Sequence, residues 1–218
     1  TRRCASAAVF ARDCAAWARS EAETMTESIF IAGVGGQGLL LASKILGCVL
    51  VGEGYDVKLS EVHGMSQRGG SVVTYVKYGD KVHSPLIEKG EADFFLAFEE
   101  LEAARWLGYL KTGGRLILNA NRIRPMPVIT GKAEYPQGIA AAIKATGVDV
   151  KALDALALAK KAGSAKAVNT VMIGALAKHL LIGRDKWERA IEALVPEKFK
   201  AINLKAFEEG YNCVHTDC

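Results

Sequence analysis

From residue 25 onward the chain alternates short apolar runs with longer stretches in which apolar residues recur every three or four positions. Residues 28–33 (SIFIAG) form a continuous apolar run, the pattern of a strand buried on both faces. Residues 39–51 then carry apolar side chains around most of a helical circumference, which predicts a well-buried helix ended by Gly52 and Gly54. Residues 55–61 predict a second strand, and 71–78 a third, with Val72, Thr74, Val76 and Tyr78 alternating against Val73, Tyr75 and Lys77. The turn signal at 78–81 (YGDK) predicts a hairpin that returns through Val82 and His83.

Residues 92–98 (ADFFLAF) predict a strand, 99–111 an amphipathic helix broken by Gly113 and Gly114, and 115–119 (RLILN) another buried strand. Three prolines within 125–136 suit a hairpin or edge strand at the sheet margin. Helical patterns follow at 139–146, 152–162, 165–181 and 186–193, with a further strand at 147–153. Val171, Ile173, Leu176 and Leu180 fall at helical spacing and read as packing residues. This alternation predicts an α/β fold: a three-layer, Rossmann-like, mostly parallel sheet with helices on both faces.

Residues 1–24 break the pattern. They are rich in Ala and Arg and precede Met25, which reads as the natural start, so they are expected to be a non-native or disordered leader. Asp13, Glu21 and Glu23 argue against a transit peptide. Residues 25–211 read as a single domain, and 212–218 as a frayed tail.

Composition narrows the function classes. A net charge of +4 on 218 residues, with no dense basic block, gives no reason to expect a nucleic-acid surface. No apolar run reaches the roughly 18 residues of a membrane span. The five cysteines are scattered and form no CxxC pair, which argues against a disulfide framework or a metal site built from this chain alone. Cys48 falls in the apolar helix, where a small buried residue is expected. A reducing cytoplasm fits this usage.

Two glycine-rich segments carry the candidate chemistry. Gly33, Gly35, Gly36, Gln37 and Gly38 lie in GVGGQG, between a strand and a helix. Such glycines permit a tight turn, and the N–H groups at the following helix start face any anion brought there. Three roles stay open on the residues alone: a phosphate cradle, a dinucleotide site, or close packing of helix on strand. A dinucleotide site also wants an acid ending the second strand, for which Glu61 is the nearest candidate. The second segment, EVHGMSQRGGSVV (61–73), brings His63, Gln67, Arg68, Gly69 and Gly70 to the same carboxyl edge of the sheet. Its residues suit an anion-binding or partner-contacting loop, or else a surface histidine and a solvated arginine.

The stretches GVGGQGLLLASKILG, SEVHGMSQRGGSVVTYVKYG and SPLIEKGEADFFLAFEELEAAR closely resemble the gamma-type small subunit of the 2-oxoacid:ferredoxin oxidoreductase family. The form HGMSQRGG resembles its indolepyruvate branch. The likeness continues through AVNTVMIGALAKHL and INLKAFEEGY, nearly to the end of the predicted domain. It implies a subunit of a complex that oxidatively decarboxylates aryl pyruvates with coenzyme A and reduces ferredoxin. Sibling gamma subunits acting on pyruvate, 2-oxoglutarate or branched-chain oxoacids are the alternative, and a free-standing nucleotide-binding enzyme is a distant one.

The resemblance also implies that thiamine diphosphate, Mg and [4Fe–4S] clusters sit in the large (alpha) subunit. This chain is expected to bind no cofactor alone and to hold no metal and no catalytic residue. GVGGQG becomes a candidate cradle for coenzyme A phosphates, and His63, Gln67, Arg68, Gly69 and Gly70 candidates for the site margin or the subunit interface. An obligate subunit should expose an apolar patch. Candidates are Met65, residues 94–98 and residues 172–181, each of which, taken singly, reads better as core.

Overall fold

Strand β1 (Thr26–Val34) alternates Ile29 and Ile31 on one face with Phe30 and Ala32 on the other, and all four are fully buried. The computed structural model, which describes residues 26–63 and 69–213, sets this strand third in a six-stranded sheet of order β2-β3-β1-β4-β5-β6. The others are β2 (Asp56–His63), β3 (Ser71–Gly79), β4 (Ala92–Ala97), β5 (Leu110–Asn119) and β6 (Asp149–Leu153). Strands β1, β4, β5 and β6 pair in parallel. Strand β3 runs antiparallel between β1 and β2. The stretch from His63 to Ser71 is too short for the crossover that a parallel neighbour needs, so the chain turns straight back.

Helices α1 (Leu39–Gly52), α5 (Ala155–Ala162), α6 (Val168–Ala177), α7 (Arg184–Leu194) and α8 (Glu197–Cys213) cover the face of Ile29 and Ile31. Helices α2 (Glu100–Trp106) and α4 (Ile139–Ala145) cover the face of Phe30 and Phe95. The three-layer, mostly parallel arrangement read from the sequence is what forms. Helix α6 is buried all round, with Val171, Ile173, Leu176 and the following Leu180 in the core. It meets α8 backbone to backbone: a Cβ at Gly174 would stand 2.2 Å from the Phe207 carbonyl oxygen, and one at Gly210 2.0 Å from that of Val171.

Several elements differ from the sequence reading. The expected hairpin through Val82 and His83 is absent, because β3 already has a strand on each side; the Val82 N–H instead donates to Asp56 Oδ2 at 2.9 Å. The helix expected over 99–111 stops at Trp106, and β5 begins at Leu110 and runs through both glycines. Gly114 allows this, since a Cβ there would lie 3.0 Å from the carbonyl oxygens of Ala92 and Asp93 on β4.

No strand forms over 125–136. Helix α3 (Met126–Ile129) takes its place, with the Pro125 carbonyl accepting from the Val128 and Ile129 amides. Strand β6 occupies the sheet margin instead. The stretch 165–181 divides into a 3-10 turn (Ala165–Ala167) and α6, and α5 starts only at Ala155, capped by Asp154 accepting from the Ala157 amide. Helix α8 was not foreseen, and it continues through Cys213. Cys48 is exposed, contrary to the buried place expected of it. Of the proposed apolar patches, Phe95 to Phe98 and Met172 to Ala177 are core, Leu181 is fully exposed, and Met65 lies outside the described residues. So do residues 1–24 and 214–218.

Candidate functional site

The carboxyl edge of the sheet gathers the ends of β1 and β2 and the start of β3, with Val34 opposite Ser71 and His63 opposite Val72. Beyond these pairs the two glycine segments stay joined: the Gly35 N–H donates to the Gly70 carbonyl at 2.8 Å, and the Gly69 N–H to the Gly35 carbonyl at 3.4 Å. The structure thus brings Gly33 to Gly38 together with Gly69 and Gly70. His63 ends β2 on the same edge, while Gln67 and Arg68 lie outside the described residues.

Each part of the GVGGQG turn has a physical reason. Gln37 is a staple: its Oε1 accepts from the Val34 N–H at 2.7 Å and its Nε2 donates to the Phe98 carbonyl at 2.9 Å. A Cβ at Gly33 would lie 2.7 Å from that same Oε1. Gly36 and Gly38 have φ of 102° and 80°, in the left-handed region that only glycine enters cheaply. Gly38 is the N-cap of α1 and offers no side-chain cap, and α1 has no acid in its first turn. The Leu41 N–H turns back to the Gly38 carbonyl at 3.1 Å, and the Leu39 and Leu40 N–H groups are left without a cap beside exposed Gly36 and Gly38, which suits an oxyanion.

Asn169, on α6, holds this turn from behind. Its Nδ2 donates to the Gly38 carbonyl at 3.3 Å, and its Oδ1 accepts from the Thr170 N–H at 3.0 Å. The Thr170 hydroxyl in turn donates to Asn203 Oδ1 at 2.6 Å. Sequence reasoning missed Asn169, although an Asn-Thr pair inside an otherwise apolar helix was a visible signal.

His63 is half exposed, and its Nδ1 stands 3.5 Å from Glu61 Oε1. Glu61 cannot serve as the acid of a dinucleotide site. Strand β3 separates β2 from β1, which sets Glu61 about 10 Å, two strand spacings, from the strand that feeds the turn. Instead it pairs across the ladder with Thr74; Glu61 Oε2 and Thr74 Oγ1 are both buried without a partner.

The neighbouring strand end carries three buried carboxylates that the sequence reading did not single out. Glu99 caps α2 through the Glu102 N–H at 2.9 Å, and also accepts from the Ile123 N–H and the Tyr135 hydroxyl. Glu100 pairs with Arg122 at 2.8 Å and Glu102 with Arg105 at 2.7 Å. Burial and then the Glu99 contact push the Tyr135 phenol above its usual range, so Tyr135 remains a donor. Among the described residues, no three His, Cys, Asp or Glu side chains converge as a metal site, and no helix is long and apolar enough to cross a membrane.

The fold is that of gamma-type domains of oxoacid oxidoreductases. The family described as pyruvate ferredoxin/flavodoxin oxidoreductase matches residues 28–213, and the chain belongs to it. It is 40% identical to the indolepyruvate oxidoreductase subunit IorB of Thermococcus kodakarensis, over 84% of this chain and 93% of that one. The common gamma subunit of the pyruvate and ketoisovalerate oxidoreductases of the same organism is 28% identical, over 83% and 92%.

Among solved structures, the gamma subunit of a keto/oxoacid ferredoxin oxidoreductase from Geobacter sulfurreducens superimposes with a TM-score of 0.65 at 24% identity, covering 87% of this chain and 98% of that one. The 2-oxoglutarate:ferredoxin oxidoreductase of Magnetococcus marinus, solved with 2-oxoglutarate, coenzyme A and succinyl-CoA bound, gives 0.68 at 20% identity, over 88% and 32%.

Proposed function

We propose that this chain is the small subunit of a complex that oxidatively decarboxylates aryl pyruvates, indolepyruvate among them. Coenzyme A is acylated, carbon dioxide is released and ferredoxin takes the electrons. The observation that carries this reading is the greater likeness to an indolepyruvate subunit than to the pyruvate and ketoisovalerate gamma subunit of the same organism. In this reading a large subunit holds thiamine diphosphate, magnesium and the [4Fe–4S] clusters, and the complex works in the reducing cytoplasm. Residues 25–211 act as one domain.

We assign the uncapped start of α1, with Gly33, Gly35, Gly36 and Gly38 around it, to the phosphates of coenzyme A. Gln37 holds that turn in shape. The segment carrying His63, Gln67, Arg68, Gly69 and Gly70 is assigned to the site margin or the interface with the large subunit.

Co-expression with the candidate large subunit tests the reading. The expected result is a co-purifying pair that reduces ferredoxin only when both indolepyruvate and coenzyme A are present, with neither subunit active alone. A large subunit fully active by itself, or a pair that prefers pyruvate to indolepyruvate, would sink it.

A further inference from the structure

Helix α2 buries a carboxylate where an apolar side chain would cost less. The Glu102 side chain is only 5% exposed, and its oxygens are bonded as burial of a charge requires. Its Oε1 accepts from Arg105 Nη1 at 2.7 Å. Its Oε2 accepts from the Trp106 indole N–H at 3.1 Å and from the Ser71 hydroxyl. The same indole N–H lies 3.3 Å from Ser71 Oγ, so the three side chains close a triangle. Of the partners of Glu102, only Ser71 lies outside α2.

Ser71 is the first residue of β3 and directly follows Gly69 and Gly70. It stands at the end of its ladder, opposite Val34 on β1, while β2 pairs with β3 only as far as Val72. Strand pairing therefore holds Ser71 from one side alone. The Gly70 carbonyl, which accepts from the Gly35 N–H at 2.8 Å, belongs to the planar peptide unit that ends at the Ser71 Cα. A side chain that fixes Ser71 thus aims that carbonyl. Gly70 has no side chain of its own to do so, and Gly69 sits in the left-handed region at φ 81°.

We propose that Glu102 is a positioning residue for the glycine turn. Through Ser71 it sets the Gly70 carbonyl, and through that carbonyl it sets Gly35 and the amides offered to an oxyanion at the start of α1. That oxyanion is a phosphate of coenzyme A only under the function proposed above, whereas the clamp stands without it.

Two variants of the full chain test the clamp. Ser71→Ala cuts the link while leaving Glu102 bonded within α2, and Glu102→Met keeps the length but removes the acceptor. Amide hydrogen exchange at Gly35 should quicken about tenfold in Ser71→Ala, and about fivefold in Glu102→Met, where the indole still reaches Ser71. The amides of β4 and β5 should keep their rates. Glu102→Gln retains an oxygen that accepts from Ser71, and should bring Gly35 back to within about twofold of the parent. A Gly35 rate unchanged in Ser71→Ala, or a rise shared by the whole sheet, overturns the proposal. Should Glu102→Met not fold, Ser71→Ala and Glu102→Gln decide it.

The complex with the large subunit tests the consequence. Ser71→Ala should raise the KM for coenzyme A about tenfold, with kcat and the KM for indolepyruvate held within about twofold. Faster exchange at Gly35 beside an unchanged KM for coenzyme A overturns the positioning role. A parent complex with no dependence on coenzyme A would instead sink the assignment of the ligand, and the exchange rates then judge the clamp by themselves.

Discussion

At the scale of single residues, Gln37, one of the candidate contacts of the glycine turn, has a structural part to play, and so does Asn169, which was not singled out. Gln37 bonds at both ends within the protein, to Val34 and Phe98. Gln37→Leu keeps the volume but orphans the buried Val34 N–H, and should cost about 2 kcal/mol in chemical denaturation. In the assembled complex it should raise the KM for coenzyme A more than it lowers kcat. The sequence showed that the turn needed glycines, but not that Asn169, far along the chain, would brace the Gly38 carbonyl. That contact depends on where α6 packs, which no local pattern encodes.

His179 gives a pH prediction at the same scale. Burial, followed by the charge of Arg115, holds its folded pKa at about 4, below the ordinary 6.5, so as pH falls the unfolded chain takes up the proton first. Its contribution is therefore full above pH 6.5 and is lost as pH falls toward 4. Arg115, Lys151 and Lys178 face the ring and sharpen the loss, while Asp149 opposes it. Glu91, held below its ordinary 4.5 chiefly by a backbone N–H, adds its own loss only at more acidic pH. Denaturant midpoints measured across pH 4 to 7 should fall on the acid side, and His179→Gln should flatten that slope.

At the scale of elements, strands buried on both faces were the most legible. The runs SIFIAG, ADFFLAF and RLILN all became strands, the first two near their expected bounds and the third extended back to Leu110, since a continuous apolar stretch of that length has few other homes. What misled was punctuation. The glycine pair before RLILN reads as a helix stop, yet it lies inside β5, where the missing side chain of Gly114 lets that strand approach β4. YGDK reads as a hairpin, yet the strand before it had no free edge to offer. Both outcomes turn on strand order, a property of the assembled sheet.

The crossing of α6 and α8 is the element contact with the narrowest tolerance. Gly174→Ala or Gly210→Ala would drive a methyl group into a facing carbonyl, at 2.2 Å and 2.0 Å respectively. Either change should lower stability by about 3 kcal/mol or more, read as a shifted urea midpoint with an unchanged slope.

At the scale of the whole molecule, the candidate chemistry gathers at the carboxyl edge of the sheet. That edge offers a glycine-rich rim of backbone amides, and behind it a brace of two buried side chains, Asn169 on one face of the sheet and Glu102 on the other. The first was legible in the sequence, because glycine spacing between a strand and a helix announces itself. The second was not, because Asn169 and Glu102 stand far from the glycines in the chain and reach this edge only once α6 and α2 pack on the sheet. The insertion of β3 between β1 and β2 was likewise invisible, and it is what removes Glu61 from the nucleotide position that its spacing had suggested.

The backbone bonds joining Gly35 to Gly69 and Gly70 tie two loops into one mechanical unit. A displacement of Gly69 and Gly70 before β3 is therefore carried directly to Gly35 and the turn that leads into α1. Under the proposed function, partner docking and phosphate capture at this edge would be thermodynamically linked, each changing the affinity for the other by the same factor. In that reading a small subunit joined in this way would report to its complex whether the acyl acceptor has arrived.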